Sequence, residues 1–208
     1  MASNKFFRVF QIFKYCIYSL LALNVYLFFA DEWTAANHLF MDGVDIMDVF
    51  QAFSASIDTA AWVVLLLLFE METYVLSDEQ VEHHRWSLHG VRFLSYFFIL
   101  LSYHGYWAKS LDLYEVSPLQ ASTACELVDH ETFYMTTLDE FEKLTLENCQ
   151  ELPAEGGFVQ LNDTDIISDA EVLSDARALA WVDVFNASLW LLIVVMLELD
   201  VWMQLKEK

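Results

Sequence analysis

Four apolar stretches divide the chain, at Val9 to Ala30, Ala60 to Leu76, Val91 to Ala108 and Phe185 to Met203. Each approaches the roughly 20 residues that a helix rising about 1.5 Å per residue needs to cross about 30 Å of hydrocarbon. Between them the pattern inverts, and acidic residues dominate Asp31 to Asp58 and Leu111 to Asp183. This segregation predicts an all-α membrane protein with four transmembrane helices. The expected organisation is three spans within 1–109, with a short acidic external loop at 31–57 and a basic link at 77–90. An acidic, helical extracytoplasmic cap follows at 110–183, then a fourth span and short tail at 184–208.

Composition agrees with that division. The chain has 208 residues, is 57% hydrophobic and 16% aromatic, and still carries a formal charge of −21. Those features conflict in one soluble globule but not in a protein with apolar spans and solvated acidic parts. Lys14 lies inside the first stretch, and Phe28-Phe29-Ala30-Asp31 offers no small-x-small cleavage pattern, so this stretch reads as a retained span rather than a cleaved signal.

The scarce positive charges set the orientation. Lys5, Arg8 and Lys14 accompany the start of span one, Arg85 and Arg92 lie between spans two and three, and Lys206 and Lys208 end the sequence. Seven of the ten basic residues thus share one side, which the positive-inside rule assigns to the cytoplasm. Both termini are expected there, in a multi-pass protein of the plasma or inner membrane, with 110–183 periplasmic or extracellular. Cys125 and Cys149 fall in that external segment, where an oxidising compartment favours a disulfide, whereas Cys16 in span one reads as a buried thiol.

Within the cap, Ser117-Pro-Leu-Gln120, Thr137-Leu-Asp-Glu140 and Ser168-Asp-Ala-Glu171 resemble helix starts. They predict helices over 118–128, 138–149 and 169–182, broken by Pro153, Gly156 and Gly157, the last running on into span four. The negative charge argues against nucleic acid and anionic lipid as partners of the cap. Asp163, Asp165, Asp169 and Glu171 are candidates for collecting cations, but they lack the spacing of a calcium loop. A solvated acidic face is the simpler reading.

A repeat runs through the even-numbered spans. Asp58, Trp62, Glu70, Glu72 and Tyr74 align without a gap on Asn186, Trp190, Glu198, Asp200 and Trp202, with seven apolar residues between each Trp and the following Glu. The pattern suggests a helical hairpin used twice. Asp58 and Glu72 are only about 21 Å apart along a helix, so both cannot rest easily in water across a full bilayer.

Two readings of these carboxylates compete. In the first, Glu70, Glu72, Glu198 and Asp200 sit at the cytoplasmic interface and pair with Arg85, Arg92, Lys206 or Lys14, beside an aromatic belt of Tyr74, Trp86 and Trp202. In the second, they line an ion or proton route with Asp58, Asn186, Asn24, Ser102 and His104. Lone Asn, Ser or His residues in membrane helices more often make helix–helix hydrogen bonds. His83, His84 and His89 do not converge at metal-ligand spacing, and Glu79 with His83 gives too few ligands, so no metal is expected. Five glycines without a phosphate loop, and no nucleophile elbow, CxxC or haem motif, argue against an enzyme or a cofactor.

The expected function is therefore a non-catalytic membrane protein that oligomerises or serves as an accessory subunit of a larger membrane complex. The alternative is a cation or proton channel or transporter subunit that uses the duplicated carboxylates.

Overall fold

The computed structural model describes residues 2–40, 45–121, 123–130, 132–152 and 157–206, with side chains between Gln11 and Met196 apart from Met47, Asp129 and His130. Three helices are long and apolar enough to cross a membrane: Gln11–Leu39, Ser54–Val75 and Ala170–Met196. They belong to α1 (Ala2–Leu39), to α3 (Ser54–Glu70) with the π-helical turn Met71–Val75 that continues it, and to α6 (Ala170–Lys206). Short α2 (Ile46–Ala52) precedes α3, and short α4 (Asp78–His83) leads into α5 (Arg85–Asp112).

α5 covers the third predicted span, but hydropathy alone does not select it. The reason lies in how its two faces divide. Phe93, Leu94, Phe97 and Leu100 point outward, while the buried positions include Ser95, Ser102 and Gly105. Small and hydroxylated residues face the neighbouring helices, lowering the average while permitting close packing. Ser95 and Ser102 satisfy their hydroxyls on the carbonyls one turn back, at 3.0 and 2.9 Å. At Gly105 an added Cβ would fall 1.9 Å from the Phe50 carbonyl oxygen, so α2 lies with its backbone directly on α5.

α3 is the central helix and packs against both α5 and α1, while α6 packs on α5. Trp62 and Trp190, the two tryptophans matched by the repeat, meet with ring centroids 5.5 Å apart. From Gln11 to Asp31, α1 buries no residue within the chain. α6 is similarly open from Leu189 to Met196.

The cap departs from the expectation of an all-α, helical domain. It is built on a five-stranded sheet in the order β1-β4-β5-β2-β3, from Val116–Pro118, Phe133–Thr137, Glu140–Lys143, Phe158–Leu161 and Ile166–Asp169. Only β2 and β5 run parallel. The predicted helix at 118–128 is instead the end of β1 and a 3-10 helix, Ala124–His130. The one at 138–149 is the β2–β3 hairpin and the turns beyond it.

Two-residue turns explain the error. Thr137 pairs with Glu140 across Leu138-Asp139, so the hydroxyl-x-x-acid spacing that suggested a capping box belongs to a hairpin. Pro118 sits on an edge strand, where its missing N–H costs no ladder bond. The third signal marks a true helix start, although Asp169 rather than Ser168 supplies the cap. Its Oδ1 accepts the Glu171 and Val172 amides at 2.7 and 2.9 Å. From there α6 runs unbroken toward the predicted fourth span.

The sheet closes two cores. One packs Met135, Leu138, Leu161 and Ile166 against Leu113 and against Leu173, Ala176 and Ala180 of α6. The other gathers Tyr134, Leu144, Phe158 and Ile167 around the Cys125–Cys149 disulfide, whose Cα atoms are 5.0 Å apart. Cys16, expected to be buried, is exposed on α1.

Because the disulfide closes a loop of 24 residues, replacing both Cys125 and Cys149 with Ala should cost about 3 kcal/mol of cap stability. Denaturant unfolding in detergent, followed by near-ultraviolet circular dichroism, measures this; an unchanged midpoint would show that the bridge contributes nothing.

Candidate functional site

α3 begins without a residue able to cap it. Phe53 stands at the N-cap position and has no side-chain acceptor, so the first amides of an apolar helix need a partner from elsewhere. Glu32 of α1 provides one. Its side chain is buried, one carboxylate oxygen accepts the Ala55 amide at 2.7 Å, and the other accepts the Ser56 amide at 3.0 Å and the Ser56 hydroxyl at 2.5 Å. A negative group at a helix N-terminus also complements the helix dipole.

Around this cap lie the other charges of the same level. Lys109 of α5 is nearly buried and places its ammonium 2.5 Å from the Asp139 carboxylate in the β2–β3 turn. Its charge reaches both Glu32 and Asp183 of α6. Asp58, one turn into α3, accepts from the Trp62 indole at 3.2 Å. This cap-proximal layer thus joins α1, α3, α5, α6 and the sheet.

A second ionic layer lies at the opposite end. Glu70 binds the Lys14 ammonium and accepts from the Tyr18 hydroxyl at 3.2 Å. Lys14 also stands over the Tyr74 ring, 5.3 Å from its centroid. Glu72 binds Arg92 of α5 at 2.7 Å. At about 100° per residue, two positions along a helix turn through about 200°, which is why adjacent acids reach opposite neighbours. Glu70 faces α1 and Glu72 faces α5.

The two layers are separated by similar lengths on three helices. Lys14 to Glu32 is about 27 Å along α1, Ala55 to Glu70 about 23 Å along α3, and Arg92 to Lys109 about 26 Å along α5. Between the layers on these three helices the charged residues are Asp58 and Asp31, which directly precedes Glu32.

The remaining expected site residues are distributed differently. Asn24 is half-buried on α1, while His104 on α5 and Asn186 on α6 are exposed. Tyr103 and Ser188 of α6 share a hydrogen bond of 3.0 Å between helices, whereas Ser102 bonds the Phe98 carbonyl of its own helix. The side chains of Glu198 and Asp200 lie outside the described residues. No group of three or more metal-ligating side chains occurs among the described residues. His84 instead contacts the Gln80 carbonyl, 2.9 Å away, and stacks edge-on with His83.

Glu32, Lys109, Asp139 and Asp183 were not singled out in the sequence. Glu32 had a legible signal: a helix starting at Ser54 behind Phe53 must borrow its cap. Nothing local marks Asp139, which reaches Lys109 only through the fold of the sheet. Compared with known proteins, the chain matches no family model, no curated protein and no solved structure.

Replacing Glu32 with Ala leaves two helix amides and a hydroxyl without their acceptor. A loss of about 3 kcal/mol is expected, with Glu32→Gln losing less because its carbonyl oxygen still accepts. Unfolding midpoints in the same detergent compare the two variants; equal midpoints for Ala and the native protein would remove the capping role.

Proposed function

We propose that this chain is a four-span integral membrane protein that serves as an oligomerising or accessory subunit of a membrane complex. In this reading α5 is the fourth span. Between Arg92 and Lys109 it carries no charge, its outward face is aromatic and aliphatic, and it lies beside α3, whose own ends are fixed at the same two levels. Lys5, Arg8, Lys14, Arg85 and Arg92 group with the end of the bundle away from the cap, which supports cytoplasmic termini and an extracytoplasmic cap. The disulfide fits an oxidising compartment for the cap.

The observation that carries the subunit role is lateral. α1 leaves Ile12, Phe13, Leu20, Leu23, Tyr26 and Phe29 exposed, and α6 leaves Leu189, Trp190, Leu192, Ile193 and Met196 exposed. Two of the four helices therefore use little of their surface inside the chain. Aromatic side chains with large contact areas are well suited to packing against further helices. The pairing of Glu70 with Lys14 and of Glu72 with Arg92 supports an anchoring role for these acids over a transport role.

The second reading, a cation or proton pathway, draws on the cap-proximal layer. There Glu32, Asp139 and Asp183 lie within reach of Lys109, with Asp58 one turn into α3, and such an excess of carboxylates favours cations.

Light scattering on protein purified in mild detergent tests the first reading. The expected result is a stable assembly larger than one chain; a monodisperse monomer with no co-purifying protein contradicts it. Cation or proton flux in liposomes that falls when Asp58→Asn is introduced would favour the second reading instead.

A further inference from the structure

The cap does not seal completely against the helices beneath it. A cavity of about 200 Å³ remains between the ends of α1 and α5, the β2–β3 turn and the β4–β5 turn. Its inner wall is Leu113, Met135, Leu138 and Leu161, all buried members of the core shared with α6. Its volume is below the roughly 300–1,000 Å³ of pockets for drug-sized ligands, so it fits only a compact guest.

The polar groups around the cavity are one-sided. Asp112, Glu115 and Asp163 contribute three carboxylates. Gln51 donates to Asp112, whereas the carboxylates of Glu115 and Asp163 have no partner among the described residues. Lys109 also reaches the cavity, but Asp139 already neutralises its ammonium at 2.5 Å. Burial raises the pKa of Asp112 above the ordinary carboxylate value; the Gln51 hydrogen bond opposes this, and the charges of Glu115 and Asp48 add to it. A pocket that is apolar on one side and carries a negative mouth on the other selects a guest with a greasy body and a positive head.

We propose that this cavity binds small primary amines with an apolar body, the body against Leu39, Phe40 and the edge of Leu138 and the ammonium at Asp112 and Glu115. A neutral guest of the same shape would gain only the apolar contacts, and an anion would be repelled at the mouth. The inference stands apart from the subunit role, since it needs only the cap and the helix ends that carry it.

Isothermal titration of the full chain in detergent with 2-phenylethylamine, 2-phenylethanol and 3-phenylpropanoate tests it. The amine should saturate one site, the alcohol should bind at least about tenfold more weakly, and the acid should not bind. Asp112→Asn combined with Glu115→Gln removes both charges at the mouth and should weaken the amine by about tenfold or more while leaving the alcohol unchanged. Unchanged circular dichroism checks that the variant is folded. Equal affinity for amine and alcohol, no saturable amine binding in the millimolar range, or an amine affinity unaffected by the double change would each overturn the proposal.

Discussion

A charge within an apolar helical bundle must be paired or reach water, and this constraint organises the molecule. Unpaired, an ionised side chain in an apolar environment costs several kcal/mol, more than the usual margin that any single contact supplies. Here Lys14, Glu32, Glu70, Glu72, Arg92 and Lys109 lie in two layers, each closed by partners from a different element. Because every pair joins two elements, satisfying the charges also fixes how the helices align. α3 cannot slide along α1 without separating Glu70 from Lys14 and exposing the amides that Glu32 covers.

The cap follows from the same helices rather than from a separate domain joined by a linker. α1 continues to Leu39, where His38 meets the Phe133 ring with centroids 4.0 Å apart, and α6 starts on the last residue of β5. Arg177 of α6 reaches back to the Leu113 carbonyl at 3.0 and 2.8 Å and stacks over Tyr114, fixing the end of α5. Tyr134 on β2 donates to Asp169 at 2.5 Å, the same residue that caps α6. Sheet and helices therefore share buried polar groups. The small, hydroxyl-rich inner face of α5 is the other half of this arrangement, since it lets α2 and α3 approach closely enough for the layers to meet.

Much of the helical part was legible because the apolar runs are of lipid scale and carry their few charges near one end. The start of α6, its continuity from the cap onward and the Cys125–Cys149 bridge followed from local signals, whereas α3 begins at Ser54, inside the expected loop. The repeat also pointed to Trp62 and Trp190, which touch, although its last positions, Glu198 and Asp200, fall outside the described side chains. The cap was misread because its strands are only three to five residues long, too short for alternation to show. Phe133-Tyr-Met-Thr-Thr137 and Phe158-Val-Gln-Leu161 do carry the aromatic and β-branched residues that strands favour, and giving weight to them over the capping signature would have found two of the five. The cap-proximal cluster was beyond sequence reasoning, because Glu32, Lys109, Asp139 and Asp183 come from four distant segments.

The central claim is that the slab between the two ionic layers is the part in contact with hydrocarbon. Nitroxide labels at Phe93, Phe97, Leu100, His104 and Leu111, introduced singly with Cys16 replaced by Ser, place probes along the exposed face of α5. In reconstituted bilayers, oxygen accessibility relative to a water-soluble nickel complex reads their depth. The account predicts a maximum near Leu100 that declines toward both Phe93 and Leu111; a flat profile, or a label at Leu100 freely reached by the nickel complex, would contradict it.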